Sequence, residues 1–127
     1  MKGTLKYNDV AAKIAEYCEK HSTINVAILF GSFLNSESYN DIDLGLYFFK
    51  EPTFDYFIVV TELQTLIGEE LHIAFLNGKS ILLQKNTINE GQVIYERDGD
   101  KYSDLIYKLI GEYFDYLDYH DPKQLYA

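Results

Sequence analysis

Apolar and polar positions along this chain recur with two different periods. From Asn8 to His21 the apolar residues Val10, Ala11, Ile14, Tyr17 and Cys18 fall at helical spacing on one stripe, with Asn8 as the expected N-cap. Asn25 to Phe30 is a short apolar run ending at Gly31, as in a buried strand. Phe33 to Asn40 reads as a Ser- and Asn-containing loop, and Asp41 to Phe49 as a second strand stopped by Lys50-Glu51-Pro52. Phe54 to Ile67 is apolar on most faces, which predicts a largely buried helix closed by Gly68. A third strand follows over Leu71 to Leu76, ended by Asn77-Gly78, and then a short helix over Ser80 to Thr87. Turns at Asn89-Glu90-Gly91 and Asp98-Gly99-Asp100 bracket an edge strand, Gln92 to Glu96. The last helix runs from Tyr102 to Tyr119, with Tyr102, Ile106, Leu109, Ile110, Tyr113 and Leu117 on one stripe and Asp121-Pro122 as its stop.

This order predicts an α/β fold with a mixed sheet of about four strands packed against helices. The loop between the first two strands is too short for a parallel crossover, so that pair is expected to be antiparallel. No repeat, low-complexity tract or linker divides the chain, and residues 1–127 are expected to form a single domain.

Two features stand out against this pattern. The first strand runs into Leu29-Phe30-Gly31-Ser32, and after eight intervening residues the second opens with Asp41-Ile42-Asp43-Leu44. Side chains alternate along a strand, so Asp41 and Asp43 share one face while Ile42, Leu44 and Leu46 point to the core. Adjacent carboxylates repel and raise at least one pKa, unless a hard divalent cation bridges them. Mg²⁺ is held in this way, by one or two carboxylates together with substrate phosphates. A Gly lets backbone approach a ligand closely, and a Ser hydroxyl with neighbouring N–H groups can hold a phosphate oxygen. Together the two features suggest a nucleoside triphosphate held by its phosphates, with metal between.

Composition narrows the acceptor. The net charge is −9, and no Lys or Arg occurs between Lys20 and Lys50, the segment holding both features. A nucleic-acid backbone is bound through clustered cations, so long DNA or RNA is not an expected substrate. A protein or small-molecule acceptor fits better, and the excess negative charge suits a basic partner. No apolar run reaches membrane-spanning length, and Met1 to Tyr7 lacks the apolar core of a signal peptide. The single Cys18 cannot form an internal disulfide and belongs to the buried stripe. A cytoplasmic location without membrane association is therefore expected.

Phe30-Gly31-Ser32 followed by Asp41-Ile42-Asp43-Leu44 resembles the signature of the DNA-polymerase-β-like nucleotidyltransferases. More closely it is similar to the minimal nucleotidyltransferases of bacteria and archaea, stand-alone domains of about this length. Leu71 to Asn77 and Gly91 to Tyr95 sit where that family has its later strands, by hydrophobic pattern alone. The resemblance implies a nucleotidyltransferase fold and transfer of AMP from ATP to a tyrosine hydroxyl. It also implies Mg²⁺ on Asp41 and Asp43, and Gly31 and Ser32 around the β,γ-phosphates. Many such domains are antitoxins of a HEPN-domain ribonuclease, which makes a HEPN-domain toxin the implied partner, in a homo- or hetero-oligomer.

The chain departs from that pattern in three places. His72 stands where the family has its third carboxylate. A neutral imidazole can serve as general base, but it is a poorer Mg²⁺ ligand and brings no negative charge. Glu70, two residues earlier, is the other candidate for the third metal ligand. The loop after Gly31-Ser32 is shorter than in many members, and it lacks an Arg the family often has there, leaving Lys79 and Lys85 as candidate phosphate partners. These departures keep a second reading open: a catalytically weak or inactive subunit that neutralises its partner by binding. Transfer to an antibiotic is disfavoured, because such enzymes usually carry a second helical domain. His21 and His120 lack metal-ligand spacing, and no zinc motif, nucleophile elbow or Walker lysine is present. Six tyrosines from Tyr102 to Tyr126 could line a partner surface or accept AMP, and Tyr107 and Tyr116 fall off the buried stripe.

Overall fold

The computed structural model describes residues 6–34, 41–49, 56–68 and 70–120. Helix α1 (Tyr7–Glu19) leads into strand β1 (Ile24–Phe30) and a short 3-10 turn (Ser32–Leu34). Strand β2 (Ile42–Phe48), helix α2 (Tyr56–Ile67) and strand β3 (Leu71–Phe75) follow, then α3 (Ile81–Glu90), β4 (Gln92–Glu96) and α4 (Gly99–His120). The strands form one mixed sheet in the order β3-β2-β1-β4. β1 pairs antiparallel with both β2 and β4, while β2 and β3 are parallel and joined through α2. The predicted antiparallel β1–β2 pair and the edge position of β4 are both borne out.

Each face of the sheet is covered by its own helices. On the first face Ala27, Leu29, Ile42, Leu44, Leu46 and Leu71 pack against Val10, Ile14 and Cys18 of α1 and Leu63 of α2. On the second, Val26, Ile28, Tyr47 and Leu76 pack with Ile88 of α3 and with Tyr102 and Leu105 of α4. Each fully buried Leu or Ile contributes about 1.5–3 kcal/mol. The two-sided β1–β2 centre therefore carries most of the stabilisation. Alternation along β2 places Asp43 on the second face with Tyr47, near the open end where the strand begins.

Several local expectations are corrected. α1 starts at Tyr7 with extended Lys6 at the N-cap and no side-chain cap, so Asn8 lies inside the helix. α2 is not largely buried: Leu63 is fully enclosed, but Phe57, Ile58 and Leu66 are exposed. The helix crosses one face at the sheet edge, which engages only a narrow stripe of an apolar sequence. α3 extends through Asn89 and Glu90, leaving only Gly91 as the turn. Asp98 does not sit in a free turn either. Its carboxylate accepts from the N–H groups of Asp100 (3.1 Å) and Lys101 (3.2 Å), which starts α4 at Gly99. On α4, Ile110 is exposed rather than on the buried stripe, and Tyr116 is half-buried and stacked on Tyr113. The expected stops at Lys50-Glu51-Pro52 and Asp121-Pro122, the start of α2 at Phe54, the loop from Asn35 to Asn40 and Tyr126 lie outside the described residues.

Candidate active site

β1 delivers the Gly31 turn and β2 delivers the carboxylates to the same end of the sheet, because Phe30 pairs with Asp43 across the antiparallel ladder. Gly31 adopts φ +83°, a left-handed conformation in which a side chain is strained. A Cβ added there would overlap Oδ2 of Asp43, so the absent side chain is what lets the carboxylate lie against the turn. The 3-10 turn begins at Ser32 and is closed by the Leu34 N–H donating to the Gly31 carbonyl (3.2 Å).

The parallel β2–β3 register sets His72 beside Asp43. The His72 Nε2 lies 3.3 Å from Oδ1 of Asp41, with both side chains more than half exposed. Asp41, Asp43 and His72 are thus brought together at the mouth of the Gly31 turn. Burial pushes the Asp43 carboxyl above its ordinary value; the nearby His72 counteracts this and the Asp41 charge adds to it.

Glu70 is placed differently. Its carboxylate folds back over Gly68, where a Cβ would lie 2.7 Å from both oxygens, and Gly68 itself has φ +145°. Its carbonyl accepts from the Ile42 N–H (2.9 Å), so Glu70 pins the start of β3 to β2 by its backbone. Lys79 and Lys85 are not brought to Asp43. Lys79 lines a cleft with Tyr47 at the far end of β2, and the Lys85 Nζ sits 5.1 Å over the ring of Tyr113. His21 lies on the opposite face, stacked on Tyr17 (3.9 Å), with Nδ1 2.9 Å from the Tyr17 carbonyl and Nε2 3.6 Å from Glu62.

One brace of the site has no signal in the sequence. The ring of Tyr7, at the start of α1, stacks on Phe33 (6.0 Å) directly after Ser32. Its hydroxyl donates to Oε1 of Gln92 (2.7 Å) at the start of β4. Three elements distant in sequence converge there, and no local spacing announces it.

Among the described residues no group of three His, Cys, Asp or Glu is arranged to hold a metal ion. Two carboxylates at strand period do share one face, and the cradle over Asp43 exists only because Gly31 has no Cβ. Asp43 also carries a raised pKa that a cation would relieve. The pair fits Mg²⁺ of the kind that takes its remaining ligands from substrate phosphates and water.

The four-stranded mixed sheet thus sets a Gly-Ser turn after β1 beside Asp41, just before β2, and Asp43 within it. The sequence matches the family described as polymerase beta, nucleotidyltransferase over residues 12–100, and the chain belongs to that family. No curated protein matches it significantly. Among solved structures it is similar to a chain of the tri-AMPylated Shewanella oneidensis HEPN toxin in complex with MNT antitoxin. That match has 17% identity and a TM-score of 0.66, and it covers 94% of this chain and 98% of the other. A toxin-antitoxin structure with AMP-PNP matches at 17% identity and a TM-score of 0.68, covering 92% and 98%. The toxin-antitoxin MntA-HepT matches at 16% identity and a TM-score of 0.66, covering 94% and 99%.

Proposed function

We propose that residues 1–127 act as one Mg²⁺-dependent nucleotidyltransferase domain that moves AMP from ATP to a tyrosine hydroxyl of a HEPN-type toxin, serving as its cytoplasmic antitoxin. The observation that carries this reading is the convergence of Asp41, Asp43 and His72 at the Gly31 turn. Membership of the nucleotidyltransferase family supports it, as do the similar folds seen with an AMPylated HEPN toxin and with AMP-PNP.

In this mechanism Asp41 and Asp43 would hold Mg²⁺, which would supply positive charge against the phosphates of ATP. The backbone of Gly31 and Ser32 cradles the β,γ-phosphates. His72 takes the proton of the acceptor hydroxyl as its oxygen attacks the α-phosphate in line; pyrophosphate leaves, and AMP remains on the acceptor. A second reading, neutralisation by binding without turnover, is favoured by one observation: the third position carries an imidazole engaged with Asp41 instead of a carboxylate.

The test is transfer of label from ATP, radiolabelled at its α-phosphate, to a HEPN-type partner at several Mg²⁺ concentrations. Label is expected in the partner, and His72→Ala should reduce it by about 100-fold, as loss of a general base does. Glu70→Gln should matter little; the reverse ranking would make Glu70 the third ligand. No label at any Mg²⁺ concentration, with full toxin neutralisation by Asp41→Asn/Asp43→Asn, would leave the binding reading.

A further inference from the structure

The last helix has two apolar faces, and the sheet uses only one. Inward, Tyr102, Leu105 and Leu109 pack toward the sheet and α3. Outward, Tyr107, Ile110 and Phe114 recur at i, i+3 and i+7 and are 79%, 49% and 56% exposed. At 100° per residue these three occupy one arc, continuous with the edge of the inward face at Ile106. That edge opens into a groove of about 320 Å³ between α3 and α4, lined by Ile88, Ile106, Ile110, Tyr113 and Phe114. Lys85 also lines it, with its Nζ 5.1 Å over the Tyr113 ring. Gly111, beside the arc, has nothing within 4 Å of where a Cβ would be, which leaves room for close approach of another backbone. The far lip of the arc carries Asp104, Asp115 and Asp118, exposed and in no ion pair among the described residues, with exposed Lys101 and Lys108 beyond them, the latter paired with Glu112.

Charge decides what covers this surface. A second copy docked by a two-fold axis would set α4 against itself and oppose these aspartates to one another, between two chains of net charge −9. Nucleic acid and anionic membrane are repelled by the same lip. A helix with an apolar stripe and a basic flank satisfies both the groove and the aspartates. We infer that the α3–α4 groove is the docking surface for a basic amphipathic helix of a partner protein. Assigning that helix to the HEPN-type toxin rests on the proposed function; the surface and its chemistry do not.

The test uses the full chain and two synthetic helices of about 18 residues with one apolar pattern, flanked by Lys in one and by Glu in the other. Fluorescence anisotropy should show the Lys helix binding at least about tenfold tighter than the Glu helix. Ile110→Asp/Phe114→Asp adds negative charge but removes the stripe, and it should weaken the Lys helix at least about tenfold, with circular dichroism confirming the fold. Equal or tighter binding by that variant would mean general attraction to an acidic protein and would overturn the proposal. So would wild-type self-association in sedimentation that the variant abolishes, which would make a second copy the occupant. Binding seen only after removal of residues 121–127 would make this chain's own tail the occupant. Asp41→Asn/Asp43→Asn should bind the Lys helix as the wild type does, so a failure of AMP transfer and a failure of docking are read separately.

Discussion

At the scale of residues, Asp43 bears a cost that the fold does not need. Burial holds its carboxyl above the ordinary range, and the Asp41 charge adds to this. The folded state therefore binds the Asp43 proton more tightly than the unfolded chain, and ionisation opposes folding. The penalty is absent below the unfolded carboxylate pKa of about 3.9, grows as pH rises toward the folded value, and is constant above it. Asp43→Asn, measured in a chelator, should raise the melting temperature at pH 7, and the gain should vanish as pH falls below about 4. A variant less stable than wild type at pH 7 would contradict this assignment. The pairing of Asp41 with Asp43 is legible in the sequence because strand alternation is a local property of two apolar flanks. The position of His72 is legible only through the hydrophobic pattern of β3. The turn of Glu70 over Gly68 and the Tyr7–Phe33–Gln92 brace are not, since each depends on where other elements come to lie.

At the scale of elements, α1 ends without a cation of its own, having no basic residue in its last turn. Arg97, just after β4, supplies it. Its Nη2 donates to the carbonyls of Cys18 (2.7 Å), Glu19 (3.1 Å) and His21 (3.4 Å), and its Nε to that of Ile24 (3.2 Å). A guanidinium there adds a charged donor to these carbonyls, of which Cys18 and His21 already accept from the His21 and Ile24 N–H groups, and meets the negative end of the helix dipole. Arg97→Met should lower unfolding free energy by about 2 kcal/mol in urea, with an unchanged slope. Arg97→Lys should recover only part, lacking the planar fork. An unmoved midpoint for Arg97→Met would show that water serves these carbonyls equally well. No spacing rule finds this contact. The same limit explains α2, whose apolar composition predicts burial on all sides although a single sheet edge receives it. It also explains α3, which the sheet lets run to Gly91. Helical periodicity in α1 is legible because one stripe meets one face.

At the scale of the whole molecule, element order and a short β1–β2 loop are enough to predict a mixed sheet with an antiparallel centre. The α2 crossover makes β2 and β3 parallel and so carries His72 to the carboxylates. The placement of β4 on the far edge of β1, and of α3 and α4 over the second face, comes from packing between distant segments. Among the described residues no helix is long and apolar enough to cross a membrane. The proposed function needs Asp41 and Asp43 to act as one metal-bridged phosphate site. Calorimetric titration with a non-hydrolysable ATP analogue, with and without Mg²⁺, tests it most directly. The wild type should bind only with Mg²⁺, and at about 100 times Kd should gain about 2.7 kcal/mol of stability. Asp41→Asn/Asp43→Asn should remain folded and bind at least about tenfold more weakly. Equal binding by the two proteins, or binding by the wild type indifferent to Mg²⁺, would contradict the account.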